Sequence, residues 1–164
     1  MENNEDINKL YLPILFLIRQ SIELGLKANI YGAQEMSDYT APNWVSRNHS
    51  LKKLFKQFSG ERSYFSMLDL SCLDEETMQD ISTKSDKLKL LTDKISMLDK
   101  DSYYLRYPVN AVGQRRNINF KRDTILEIIS AYYDIDSFLT FINQVLLDNG
   151  VLVDYSEMRD SLIP

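Results

Sequence analysis

LPILFLIRQSIELGLKA, residues 12–28, opens on an uninterrupted apolar run and closes on charges set four residues apart. Arranged at about 100° per residue, Ile14, Leu17, Ile18, Ile22, Leu24 and Ala28 fall on a broad apolar surface. Arg19, Gln20, Glu23 and Lys27 share one narrow polar stripe, broken only by Phe16. A helix apolar around most of its circumference is expected to lie deep, with its single line of charge reaching a cleft or a partner. The helix is expected over about 10–31, with Pro13 tolerated near its first turn and Gly32 as its stop. Ser21, Gly25 and Ala28 form a seam of small residues on which another helix can approach closely, and a homodimer is the expected use of it.

Working outward, residues 33–48 show no period and contain Pro42, which predicts a loop with Trp44 against the core. HSLKKLFKQF, residues 49–58, predicts a short helix capped by Asn48 or Ser46, with Leu51, Leu54, Phe55 and Phe58 at helical spacing and Gly60 as its end. Residues to about 73 read as irregular. A long helix is expected from the acidic DEET at 74–77, whose charges suit a helix start, to about residue 98. Its apolar positions are Met78, Ile81, Leu88, Leu91, Ile95 and Leu98, and Lys84, Lys87, Lys89 and Lys94 form its solvated side. After an irregular stretch, a last helix over about 121–148 carries Ile125, Ile128, Ile129, Tyr132, Ile135, Leu139, Ile142 and Leu146, and DNG at 148–150 ends it. The expected fold is all-α: an up-and-down bundle of about four helices, with a long irregular loop before the last. Residues 1–164 read as one domain with a short irregular tail from about 151.

The formal net charge of −5 argues against nucleic-acid binding by bulk charge, while leaving room for a local basic patch. One cysteine, Cys72, allows no intramolecular disulfide or cysteine-based zinc site, and one histidine, His49, allows no His-pair metal motif; no cofactor or metal is expected. The run YLPILFLI is far short of the roughly 20 residues that span a bilayer, and MENNEDINK does not read as a secretory start. The expectation is a cytoplasmic domain with no membrane partner.

Four pieces then stand in order: FLIRQSIELGLKA, HSLKKLF, LDKDSYYLRYP and a long amphipathic helix. Together, over about 10–148, they resemble the HEPN superfamily, and within it the bacterial HEPN-like proteins. In those, a first helix of the pattern R-H-x-I-E-L-x-L-K-A precedes an H-x-L-x-x-L helix and a later F-R-Y-P segment. The resemblance implies a four- or five-helix bundle, commonly dimeric. It also implies association with RNA cleavage, nucleotide binding, toxin–antitoxin pairs or phage defence, with a protein partner encoded nearby. Carried over by position, Arg19, Glu23 and Lys27 match the polar stripe, His49 matches the histidine opening the second helix, and Arg106 with Tyr107 matches the R-Y-P segment. Gln20 stands where the pattern has a histidine. The paired Arg and His of the ribonuclease members, near the start of the last helix, have no counterpart in NFKRDTILEIISAYYD.

Metal-independent RNA cleavage needs a base for the 2′-hydroxyl and a cation for the phosphorane charge. His49 and Arg106 are the candidates for these roles; the alternative for His49 is a backbone or capping hydrogen bond, and for Arg106 an anchor on a carboxylate. Arg19, Glu23, Lys27 and Tyr107 are expected to form a network that holds LRYP in place, with Glu23 paired to Arg106. Arg115, Arg116, Lys121 and Arg122, interleaved with Phe120, form the one dense basic patch and are the candidates for gripping phosphates. Asp134 and Asp136 read as helix surface, and Cys72 and the methionines as core. Two functions follow: an RNA- or nucleotide-binding domain that acts as a degenerate metal-independent endoribonuclease, or a non-catalytic dimerisation or protein-interaction module.

Overall fold

The apolar spacing along the chain is realised in a computed structural model that describes residues 4–61, 63–99, 105 and 121–153, with backbone alone for 4–10. Helix α1 spans Asn4–Glu35, α2 Leu51–Ser59, α3 Glu75–Leu98 and α4 Arg122–Asp148, with a 3-10 turn at Phe65–Met67. No strand occurs among the described residues, and the helical bundle is as expected. Arg106, Tyr107, Arg115, Arg116 and most of the irregular loop before α4 lie outside the described residues.

α1 packs against α4 and α2, and α3 packs against the same two, so the helices close a ring around one core. Ile22, Leu26 and Ile30 of α1 meet there with Leu54 and Phe58 of α2, Leu88, Leu91 and Ile95 of α3, and Ile125, Ile128, Ile135 and Leu146 of α4. Each such side chain, fully buried, contributes about 1.5–3 kcal/mol. Contacts between elements give the chain path. Ser21 meets Tyr132 and Asn29 meets Leu139, so α1 and α4 run in one direction. Lys87 meets Asp134 and Lys94 meets Glu127, so α3 runs against α4. Lys52 meets Asp93 and Ser59 meets Ser85, so α3 also runs against α2. Directions therefore do not alternate strictly. Residues 36–50 return along the bundle before α2 begins, burying Tyr39, Ala41 and Val45 on the way.

α1 extends past both expected ends. Pro13 lies inside it, and the helix also runs through Gly32. Gly32 is there for proximity and does not act as a stop: a Cβ at this position would lie 2.6 Å from Asn143 Nδ2 on α4. Two residues of the seam expected to receive a second copy, Ser21 and Gly25, meet α4 of the same chain, while the third, Ala28, is exposed. A Cβ on Gly25 would sit 3.3 Å from Leu139 Cβ, and Ser21 Oγ bonds Tyr132 Oη at 2.7 Å. Asn29 Nδ2 donates to the Leu139 and Gly25 carbonyls, Asn143 Nδ2 donates to the Asn29 carbonyl, and the buried Tyr64 hydroxyl donates to Asn143 Oδ1. Small residues bring the backbones together and the two asparagines satisfy what that approach buries.

The all-round apolar character of α1 does not translate into all-round burial. Leu17 is 63% exposed and Leu24 55%, with Ala28 also exposed, while Arg19 and Glu23 are each 1% exposed. The charged stripe faces inward and part of the apolar surface faces out. Ser50, rather than Asn48 or Ser46, precedes α2; Asn48 Oδ1 instead accepts from Ser50 N in a local turn. Trp44, Met67, Met78, Met97 and Cys72 are exposed, a correction to their reading as core. Asp74 caps α3 by accepting from Thr77 N at 2.7 Å, as the acidic start implied. Asn149 and Gly150 end α4, Gly150 with a positive φ of 74° that its lack of a side chain permits. The chain then folds back, and Val153 N donates to the Met36 carbonyl.

Gly25→Leu forces α1 off Leu139 and is expected to cost about 1–3 kcal/mol by overpacking. Leu24→Ala, on the exposed face, is expected to stay within about 0.5 kcal/mol of wild type. Urea denaturation of both variants measures the difference.

Candidate functional site

The i,i+4 spacing of Arg19, Glu23 and Lys27 stacks their side chains along one side of α1, and the fold closes over that side. Arg19 Nη1 donates to Glu23 Oε2 at 2.8 Å, and Lys27 Nζ donates to Glu23 Oε1 at 2.9 Å. Arg19 also reaches two other parts of the chain. Its Nε donates to Asp99 Oδ2 at 2.5 Å and its Nη2 to the His49 carbonyl at 2.5 Å. Lys27 Nζ donates to the Ser46 carbonyl, so the segment that returns to the start of α2 is pinned twice to α1.

Asp99 is the C-cap of α3, a position where the helix dipole disfavours a carboxylate unless a cation neutralises it. Arg19 is that cation. Asp99 Oδ1 accepts from Leu105 N, which ties the first residue of LRYP to the same cluster. Leu105 is thereby linked to Arg19 through Asp99; the expected Glu23–Arg106 pair and the place of Tyr107 lie outside the described residues.

His49 Nδ1 lies 2.8 Å from Glu23 Oε1, in a side chain 43% exposed. A carboxylate beside Nδ1 favours the tautomer that carries its proton there and makes Nε2 the basic nitrogen. Burial pushes the Glu23 carboxyl up, but hydrogen bonds from Lys27, Arg19 and His49 together outweigh it and hold the group down at about 2. Glu23 therefore stays ionised throughout the physiological range and can orient the imidazole.

Beside this cluster, α1, the start of α2 and the end of α3 enclose a crevice of about 240 Å³, lined by Arg19, Ser50, Lys52, Ile95, Ser96 and Asp99. Ser50 makes no side-chain cap bond, and the first turn of α2 carries no acidic residue, so its N–H groups and Lys52 set a positive end beside the hollow. A second hollow of about 270 Å³, between α2 and α3, has Phe65, Leu70, Met78 and Ile81 in its walls and holds no buried charge. Among the described residues no group of three or more His, Cys, Asp or Glu is placed to hold a metal ion. No described helix is long and apolar enough to cross a membrane.

The structure thus joins Arg19, Glu23, Lys27 and His49, and adds Asp99, Ser50, Lys52 and Ser96. Asp99 had a signal in the sequence, as an acidic residue at a helix end that calls for a cation. Ser50, Lys52 and Ser96 had none beyond the capping position of Ser50. Lys121 and Arg122 are exposed at the start of α4. Asp134 pairs with Lys87, and Asp136 accepts from Tyr132. Comparison of the chain with protein-family models, curated proteins and solved structures returned no match.

The depressed Glu23 pKa has a sign. A carboxylate lowered on folding contributes stability that is present above its ordinary value of 4.5 and lost as pH falls toward about 2. Acid titration of the melting temperature is expected to show a decline across that window. Glu23→Gln removes one side of a buried charge cluster, is expected to cost about 3–5 kcal/mol at neutral pH, and flattens this part of the acid decline.

Proposed function

We propose that this chain is a HEPN-like helical domain that binds a phosphate-bearing ligand, RNA or a nucleotide, in a bacterial stress, toxin–antitoxin or phage-defence system. The observation that supports this reading is the crevice: a buried arginine, a lysine, two hydroxyls and the uncapped start of α2 converge on a hollow of about 240 Å³. Guanidinium forks and helix N-termini both suit phosphate oxygens. Lys121 and Arg122 are exposed cations at the start of α4, and Arg115 and Arg116 precede them in sequence, which suits them to phosphate contacts outside the crevice.

The catalytic form of this reading rests on the Glu23–His49 pair. His49 takes the 2′-hydroxyl proton as that oxygen attacks phosphorus, the P–O5′ bond breaks and the leaving 5′-oxygen takes a proton from solvent. Glu23 orients the ring, and Lys52, or Arg106 from outside the described residues, steadies the phosphorane. The pattern matches general acid–base chemistry but departs from the ribonuclease signature, so binding without robust cleavage is the form we favour. A second reading, a dimerisation or protein-interaction module with a partner encoded nearby, is favoured by one observation: Leu17 and Leu24 are exposed on one side of α1.

Single-stranded RNA is expected to bind with an affinity that falls as salt rises, and replacing Lys121 and Arg122 with alanine reduces that salt slope. Any cleavage survives EDTA, leaves 2′,3′-cyclic phosphate ends and drops about 10²–10⁴-fold in His49→Ala. Wild-type protein that neither binds nor cleaves RNA or nucleotides, yet sediments as a dimer that Leu17→Glu dissociates, establishes the module reading instead.

A further inference from the structure

Arg19 is 1% exposed and still lines the crevice. A guanidinium carries five N–H donors, and three are engaged here, by Asp99, Glu23 and the His49 carbonyl. Of those three acceptors only Asp99 also lines the crevice. A carboxylate of the chain itself therefore occupies the charged floor of a hollow whose other walls offer Lys52, the hydroxyls of Ser50 and Ser96, and the start of α2.

We infer that Asp99 is a built-in competitor: the crevice is a site for a phosphate monoester, and Asp99 holds on Arg19 the place that a phosphate oxygen takes when such a ligand binds. This deepens the phosphate-binding reading above and rests on it. Charge decides between ester classes. A phosphodiester brings one negative charge, no more than the carboxylate it must displace. A monoester, whose second pKa is about 6, brings close to two at neutral pH, together with three terminal oxygens for a planar fork. The bond a ligand oxygen replaces is the one to Asp99 Oδ2, while Asp99 Oδ1 accepts from Leu105 N. Lys52 is held by Asp93 at 3.3 Å in an exposed pair, which is weak and readily traded. The ligand class is the terminal phosphate shared by free nucleotides and RNA ends.

The test is calorimetric titration of the full chain with inorganic phosphate, adenosine 5′-monophosphate and a dinucleotide whose one phosphate is a diester. Asp99→Asn, which keeps the shape and removes the competing charge, is expected to tighten monophosphate binding by about tenfold or more. Lys52→Ala, on an exposed side chain, is expected to weaken it by about threefold or more, and the diester binds more weakly than the monophosphate throughout. A folded Asp99→Asn variant with unchanged or weaker monophosphate affinity overturns the inference. Where that variant fails to fold, the Arg19 Nε–H resonance of the wild type decides: it shifts on adding phosphate if the inference holds, and stays in place if it does not. RNA binding through Lys121 and Arg122 with no effect of Asp99→Asn sinks the competitor and leaves the proposed function standing. Absence of phosphate, nucleotide and RNA binding in every variant sinks both.

Discussion

A buried guanidinium organises this fold. Taking a charged group out of water costs several kcal/mol even after relaxation, so Arg19 must find acceptors where it lies. It finds them on three separate parts of the chain: Glu23 one turn along α1, the His49 carbonyl just before α2, and Asp99 at the end of α3. That requirement constrains where α2 can begin, where α3 can end, and how the segment between α1 and α2 returns. Apolar packing alone sets none of these positions so closely, because a hydrophobic contact carries no direction and tolerates sliding.

The cluster also balances its own charge. Glu23 and Asp99 oppose Arg19 and Lys27, and His49 sits at the exposed edge of the cluster. A compensated interior of this kind adds rigidity around the crevice, and preorganised donors are what make a binding hollow effective. The α1–α4 seam works beside it by a different device. Gly25 and Gly32 allow the backbones to approach, and Asn29 with Asn143 supplies the hydrogen bonds that the approach demands. One side of α1 is thus fastened by charge and the other by close contact, which leaves Leu17 and Leu24 on the outside.

Periodicity was enough to read α3 and α4 almost to the residue, since their apolar stripes are regular and their ends are marked by Asp74 and by Asn149 with Gly150. It misjudged the limits of α1. A glycine near a helix end looks like a stop in the sequence, and only the neighbour at Asn143 shows that it serves a helix crossing. The polar stripe is legible as a line of charge that reaches a cleft or a partner, because a solvated ladder does not suit a helix so apolar elsewhere; which groups it reaches is not. Those partners lie far along the chain, at His49 and Asp99, and no local pattern links them to Arg19. Ser50, Lys52 and Ser96 were out of reach for the same reason, because a crevice is a property of three helices together.

A double-mutant cycle between Arg19 and Asp99 measures the central claim most directly. Arg19→Met, Asp99→Asn and the combined variant are compared with wild type by urea denaturation. If this pair ties α1 to the end of α3, the two substitutions are strongly non-additive, with a coupling energy of about 1–3 kcal/mol. Additivity within about 0.3 kcal/mol contradicts the account, because it leaves Arg19 without the energetic link on which the placement of α3 and the shape of the crevice depend.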